Sequence, residues 1–76
     1  MKVYVFTSYA ESSNEIITNV FSTEEKALEK MTEYRNEINE DEDDEIMCDS
    51  QYYVSYVSGC GYVNTFSYKE CEIDVE

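Results

Sequence analysis

The chain has no histidine, no proline and no tryptophan, and only two of its 76 residues are glycine. Without histidine, a Cys/His zinc site is excluded, and so is a Cys/His nucleophile pair. Glycine is confined to Gly59 and Gly61, so no glycine-rich phosphate loop can be drawn, and G-x-S-x-G is missing. No proline breaks any element. The three cysteines, Cys48, Cys60 and Cys71, are odd in number, and their spacings of 12 and 11 match no zinc pattern. They read as small apolar residues, with Cys60, flanked by glycines, expected at the surface. No apolar run approaches the ~20 residues of a membrane span. No signal peptide is read before the first strand, so the reducing cytoplasm of a bacterial host is the expected compartment.

Positive charge is also scarce. Five Lys and Arg face eighteen Asp and Glu, for a net charge of −13. DNA, RNA and anionic membranes carry the same sign and are poor direct ligands. A basic partner is favoured, and many basic protein surfaces exist to hold nucleic acid. High charge can prevent folding. Here, however, 42% of residues are hydrophobic, and eight Tyr and three Phe sit in periodic segments. The length fits a single domain, residues 1–76, with a small core: ~60% of the unfolded surface is buried at this size.

"KVYVFTSY", residues 2–9, is β-branched and aromatic and reads as a strand. "EIITNVF", residues 15–21, reads as a second, close enough for an antiparallel hairpin. Ser22 followed by Glu25 forms an S-x-x-E capping box, which predicts a helix from Thr23 to about Glu40. Ala27, Leu28, Met31, Tyr34 and Ile38 give it one apolar stripe. Acidic residues crowd its C-terminal end, where the macrodipole is already negative, so the last turn should fray. An acidic loop at about 40–50 follows. "QYYVSYVS" and "YVNTFSYKECEI" then read as two strands joined by Gly-Cys-Gly. The expected fold is α+β: a four-stranded antiparallel sheet with one helix, in the order β-β-α-β-β.

One helix covers one face of such a sheet, yet the strands carry apolar residues on both. With a two-residue turn at Gly-Cys-Gly, Tyr53, Val57, Tyr62, Phe66 and Tyr68 share a face, and Tyr52, Val54, Tyr56 and Val63 share the other. A three-residue turn regroups them and still leaves apolar groups on both sides. A second chain is a natural cover for the surplus face, which makes a homodimer an expected arrangement.

Glu37, Glu40, Asp41, Glu42, Asp43, Asp44, Glu45 and Asp49 supply eight carboxylates in thirteen residues, and no Lys or Arg lies between Arg35 and Lys69. A calcium loop counted from Asn39 would place Asp44 where glycine turns the chain and Ser50 where a bidentate Glu chelates. Both departures count against a metal. Catalytic carboxylate pairs need one member desolvated, and these are dense and expected in solvent. Neither an enzyme nor a cofactor is indicated. Recognition is the third reading. Glu25, Glu29, Glu33, Glu37 and Asp41 make an i,i+4 row with members ~6 Å apart along a helix, the scale of phosphate spacing on a nucleic-acid strand. Plain solvation of a charged face stands beside it. The tyrosines divide in the same way, into core residues and an interface in which Tyr53 and Tyr62 would serve.

The segments "MKVYVFTSY" and "EIITNVFSTEEKALEKM" resemble short open reading frames of phages and other bacterial mobile elements, which share a strand pair and a "VFS-x-EEKA" helix start. The resemblance covers about the first half of the chain. Small acidic proteins of this kind include anti-CRISPR and anti-restriction proteins, some of which look like nucleic-acid mimics. The resemblance implies an inhibitor that occupies a basic nucleic-acid-binding surface of a bacterial defence protein. The eight carboxylates named above, with Tyr53 and Tyr62, would meet that partner. The alternative is a phage-type interaction module that works through a tyrosine-rich sheet face.

Overall fold

The computed structural model describes residues 1–38 and 43–73. The elements are β1 (Lys2–Ala10), β2 (Glu15–Phe21), α1 (Glu24–Arg35), β3 (Glu45–Asp49), β4 (Tyr53–Val57) and β5 (Val63–Glu72). The strands form one sheet in the order β2-β1-β5-β4-β3, with every neighbouring pair antiparallel. The longest seam joins β1 to β5, from Lys2 opposite Glu72 to Ala10 opposite Asn64.

The expected four-stranded sheet in the order β-β-α-β-β is therefore corrected to five strands, β-β-α-β-β-β. The additional strand is Glu45–Asp49, which lies within the stretch expected to be an acidic loop. Ile46 stands opposite Tyr56 and Asp49 opposite Val54, with a register shift between Ile46 and Cys48. The reason is positional. β3 pairs with β4 at the sheet's edge, where charged side chains reach water and protect against edge-to-edge pairing. The backbone groups of β4 gain partners at little desolvation cost.

The helix is also shorter than expected. Its N-cap is Thr23, not Ser22: Thr23 is extended, at φ −131° and ψ 148°, and its hydroxyl accepts the Lys26 amide at 3.4 Å. The last helical residue is Arg35, not Glu40, and Glu40 lies outside the described residues. Past it, the amides of Glu37 and Ile38 donate to the carbonyls of Tyr34 and Arg35, three residues back. The ladder has tightened and stopped, with the cation Arg35 in the last turn and the acid Glu37 just past it.

The α1 stripe packs on one face of the sheet. Phe6, Val54, Phe66 and Tyr68 from the strands meet Ala27 and Met31 from the helix in a single buried cluster. Tyr34 leans between two phenylalanines, with ring centroids 4.9 Å from Phe6 and 5.7 Å from Phe66. Such tilted pairs contribute ~0.5–1.5 kcal/mol beyond area burial.

The β4–β5 turn settles the face assignment. Gly61 has φ +88°, and its amide donates to the Ser58 carbonyl at 2.8 Å. The Ser58 amide donates to Tyr62 at 2.9 Å. Only Gly59, Cys60 and Gly61 lie between them, so the loop has three residues. Val54, Tyr56, Phe66 and Tyr68 share the helix side, and Tyr53, Val57 and Val63 take the opposite side. The grouping of Tyr53 and Val57 with Phe66 and Tyr68 is overturned.

The phenol of Tyr68 ties the helix start to the β3–β4 connection. Gln51 Nε2 donates to its oxygen at 3.1 Å, and the Tyr68 hydroxyl donates to Glu24 Oε2 at 3.3 Å. Burial, more than any neighbour, pushes this phenol above the usual tyrosine value. Tyr68→Phe should cost about 1 kcal/mol at neutral pH, since Gln51 and Glu24 can turn to water. The unfolded phenol loses its proton first, near pH ~10. The stability it contributes is complete below that pH and is lost as pH rises toward the folded value. Chemical denaturation of both proteins should show the gap between them narrowing above pH ~10. A constant gap up to pH ~11 would contradict this reading.

Candidate functional site

The helix leaves one end of its own sheet face bare. There the surface sinks into a cavity of ≈ 180 Å³ lined by residues that include Glu15, Ile17, Tyr34, Glu37, Tyr56 and Asn64. Each wall has a local origin. Ile17 and Glu15 lie on the helix side of β2, because they pair with Ser8 and Ala10. Tyr56 and Asn64 are cross-strand partners on the same side. Tyr34 closes the helix flank of the cavity, and Glu37 stands just past the helix end. Tyr56 is half-buried, and its phenol is held above the usual tyrosine value, first by burial and then by the charges of Asp44 and Glu37. Negative potential therefore converges on this end of the molecule.

Of the ten expected partner-binding residues seven are described, and those seven do not share one face of the sheet. Glu37 reaches the cavity rim. Asp44 is partly buried beside Tyr56. Asp43 is exposed in a turn, with φ +75°. Asp49 lies on the helix side of β3 and makes an ion pair with Arg35. Glu45 and Tyr53 sit on the opposite face, Tyr53 at 43% exposure, and Tyr62 is 44% exposed where the chain enters β5. Glu40, Asp41 and Glu42 lie outside the described residues. Among the described members of the i,i+4 row, Glu25, Glu29 and Glu33 are helical and Glu37 lies past the end of α1 at Arg35. Cys48 is exposed together with Cys60, and only Cys71 is partly covered.

Charge is instead segregated by side. On the uncovered face the pairing aligns Val3, Val5, Thr7 and Tyr9 of β1 with Ile16, Thr18 and Val20 of β2. β4 adds Tyr53, Ser55 and Val57, and β5 adds Val63, Thr65, Ser67, Lys69 and Cys71. With Glu45 and Cys48 from β3, that face has, among the described strand residues, only Glu45 and Lys69 as charged members. The helix side carries Glu15, Asp49, Glu70 and Glu72 on its strands, and Glu24, Glu25, Glu29 and Glu33 on α1. Lys2, Lys26, Lys30 and Arg35 share this side, with described ion pairs Lys2–Glu70, Lys30–Glu33 and Arg35–Asp49, and the carboxylates outnumber these cations.

No family model, curated protein or solved structure matches the chain. Any functional reading therefore rests on this geometry and on the sequence. Among the described residues, no group of three or more Cys, Asp or Glu side chains is placed to hold a metal ion. No helix among them is long and apolar enough to cross a membrane.

Sequence reasoning assigns Tyr34 to the helix stripe and gives no sign that Glu15, Ile17 and Tyr56 line one cavity. Forty or more residues separate Glu15 from Tyr56 along the chain. Only the return of β5 between β1 and β4 brings them to one cavity, and no local pattern encodes that return.

Proposed function

We propose that this chain is a non-enzymatic binding protein of a phage or mobile element, acting in the cytoplasm of a bacterial host. Its helix-side carboxylates occupy a basic surface on a defence protein that normally holds nucleic acid, as the likeness to some small acidic anti-CRISPR and anti-restriction proteins suggests. The observation that supports this reading is the sidedness of the charge. Solvation alone would be served by carboxylates on every exposed surface. Here one sheet face has a single carboxylate among its paired residues, and the helix side holds most of the other described carboxylates. Glu25, Glu29 and Glu33 repeat every four residues, ~6 Å apart along the axis. Like-charged neighbours at that spacing weaken a helix by ~0.2–0.5 kcal/mol per pair. Binding a basic surface would relieve that cost, and opposite charge would steer the encounter.

Replacing Glu25, Glu29 and Glu33 together with Lys tests the reading. The side chains are exposed, so the fold should survive, as checked by circular dichroism. Immobilised wild-type chain should retain nucleic-acid-binding proteins from a bacterial lysate, release them as salt rises, and release them to added duplex DNA. The variant should retain none of them. Equal retention by both proteins would reduce the acid to solvation.

A second reading is favoured by a different feature. Ile16 and Val20 are 66% and 62% exposed on the nearly uncharged face. Two copies stacked on that face would place both helices outward and keep their carboxylates far apart. Homodimerisation uses the opposite side of the molecule, so the two readings can hold together. Sedimentation should give a dimer mass near ~100 μM, a weak association typical of a small interface. Thr7→Glu, which plants charge at the centre of the face, should return a monomer. A wild-type monomer at that concentration would contradict this second reading.

A further inference from the structure

We propose that the cavity at the end of α1 is a receptacle for one arginine side chain of a basic partner. The inference deepens the reading above, since it rests on the partner being basic, and it assigns the residue class that anchors it. The cavity measures ≈ 180 Å³. A cavity of ~150 Å³ takes a benzene-sized molecule, so this one suits a planar guanidinium with part of its stem and is too small for a typical cofactor.

Its walls match that group. Tyr34 and Tyr56 offer aromatic surface, Ile17 offers an apolar wall for the methylenes, and Glu15 and Glu37 offer carboxylate acceptors. Asn64 adds an amide. No Lys or Arg is among the lining residues, so the two carboxylates meet no resident cation there. The Tyr34 ring already receives one cation, since Lys30 Nζ lies 5.7 Å from its centroid. That contact lies within the ~6 Å reach of a cation–π attraction.

Arginine fits better than lysine on physical grounds. A guanidinium is planar, stacks on aromatic rings, is weakly hydrated, and donates to carboxylates through a fork. An ammonium is compact and strongly hydrated, and would lose more hydration on entering.

Titration with ethylguanidinium at constant ionic strength, followed by amide chemical shifts, tests the assignment with a defined probe. The amides of Ile17, Tyr34, Tyr56 and Asn64 should shift saturably, with a Kd on the order of millimolar for so small a probe. Ethylammonium should bind several-fold more weakly, and uncharged ethylurea should give no saturable shift. Glu15→Gln combined with Glu37→Gln should weaken ethylguanidinium about tenfold, the loss of roughly one charge-assisted bond. Ile17→Trp should fill the cavity and abolish the response, with the rest of the spectrum in place.

Equal response to ethylurea, shifts scattered over the whole helix side, or indifference to both variants would overturn the assignment. So would ethylammonium binding as tightly as ethylguanidinium, which would make the site a lysine receptacle. Salt-sensitive capture of basic proteins with no guanidinium response would remove the receptacle alone. A guanidinium response with no such capture would remove the inhibitor reading alone.

Discussion

A twelve-residue helix lying across a five-stranded sheet is the constraint from which the other features follow. Its anchor is the wedge of Tyr34 between Phe6 and Phe66. The helix is ~18 Å long, while the nine residues of β1 extend for ~30 Å. A helix of that length cannot roof the face it packs on. The shortfall leaves the cavity at its C-terminal end, floored by strands and walled by the last turn. The opposite face of the sheet receives no cover at all from α1.

Charge is distributed around the same constraint. Eighteen carboxylates and five cations cannot be paired off, so the fold must keep the excess in water and out of the core. The helix side does this with acids on α1 and at strand ends, while Phe6, Phe66 and Val54 stay buried beneath them. Edge strand β3 takes Glu45 and Asp49 where their side chains can reach solvent. Self-repulsion at this density weakens the compact state. The arrangement is therefore costly unless the negative side has an opposite to meet.

Much of the architecture could be read in advance, and the failures have physical causes. β1 and β2 were legible because β-branched and aromatic residues alternate between turn residues. The α1 stripe was legible from Ala27, Leu28, Met31 and Tyr34. Its start was misplaced by one residue, because Ser22 and Thr23 are both good caps and only the backbone decides between them. Its end was misplaced because Ile38 continues the stripe beyond Glu37, where the amides begin to bond three residues back. β3 was hidden because Ile46, Met47 and Cys48 are a short apolar run among acids, and an edge strand draws its stability from its neighbour more than from its own residues. The cavity was illegible for a related reason, since its walls come from five separate elements and the segment after α1.

The central claim is that negative potential belongs to the helix side and that it recruits positive groups there. Paramagnetic relaxation of the backbone amides by a cationic and an anionic nitroxide of equal size measures that potential residue by residue. The account expects the cationic probe to broaden amides along α1 and around Glu15, Glu37 and Tyr56 far more than the anionic one. It expects near-equal broadening by the two probes over Thr7, Thr18 and Ser67 on the opposite face. Equal preference for the cation on both faces would mean that the charge is mere solvation spread around the molecule, and would contradict the account.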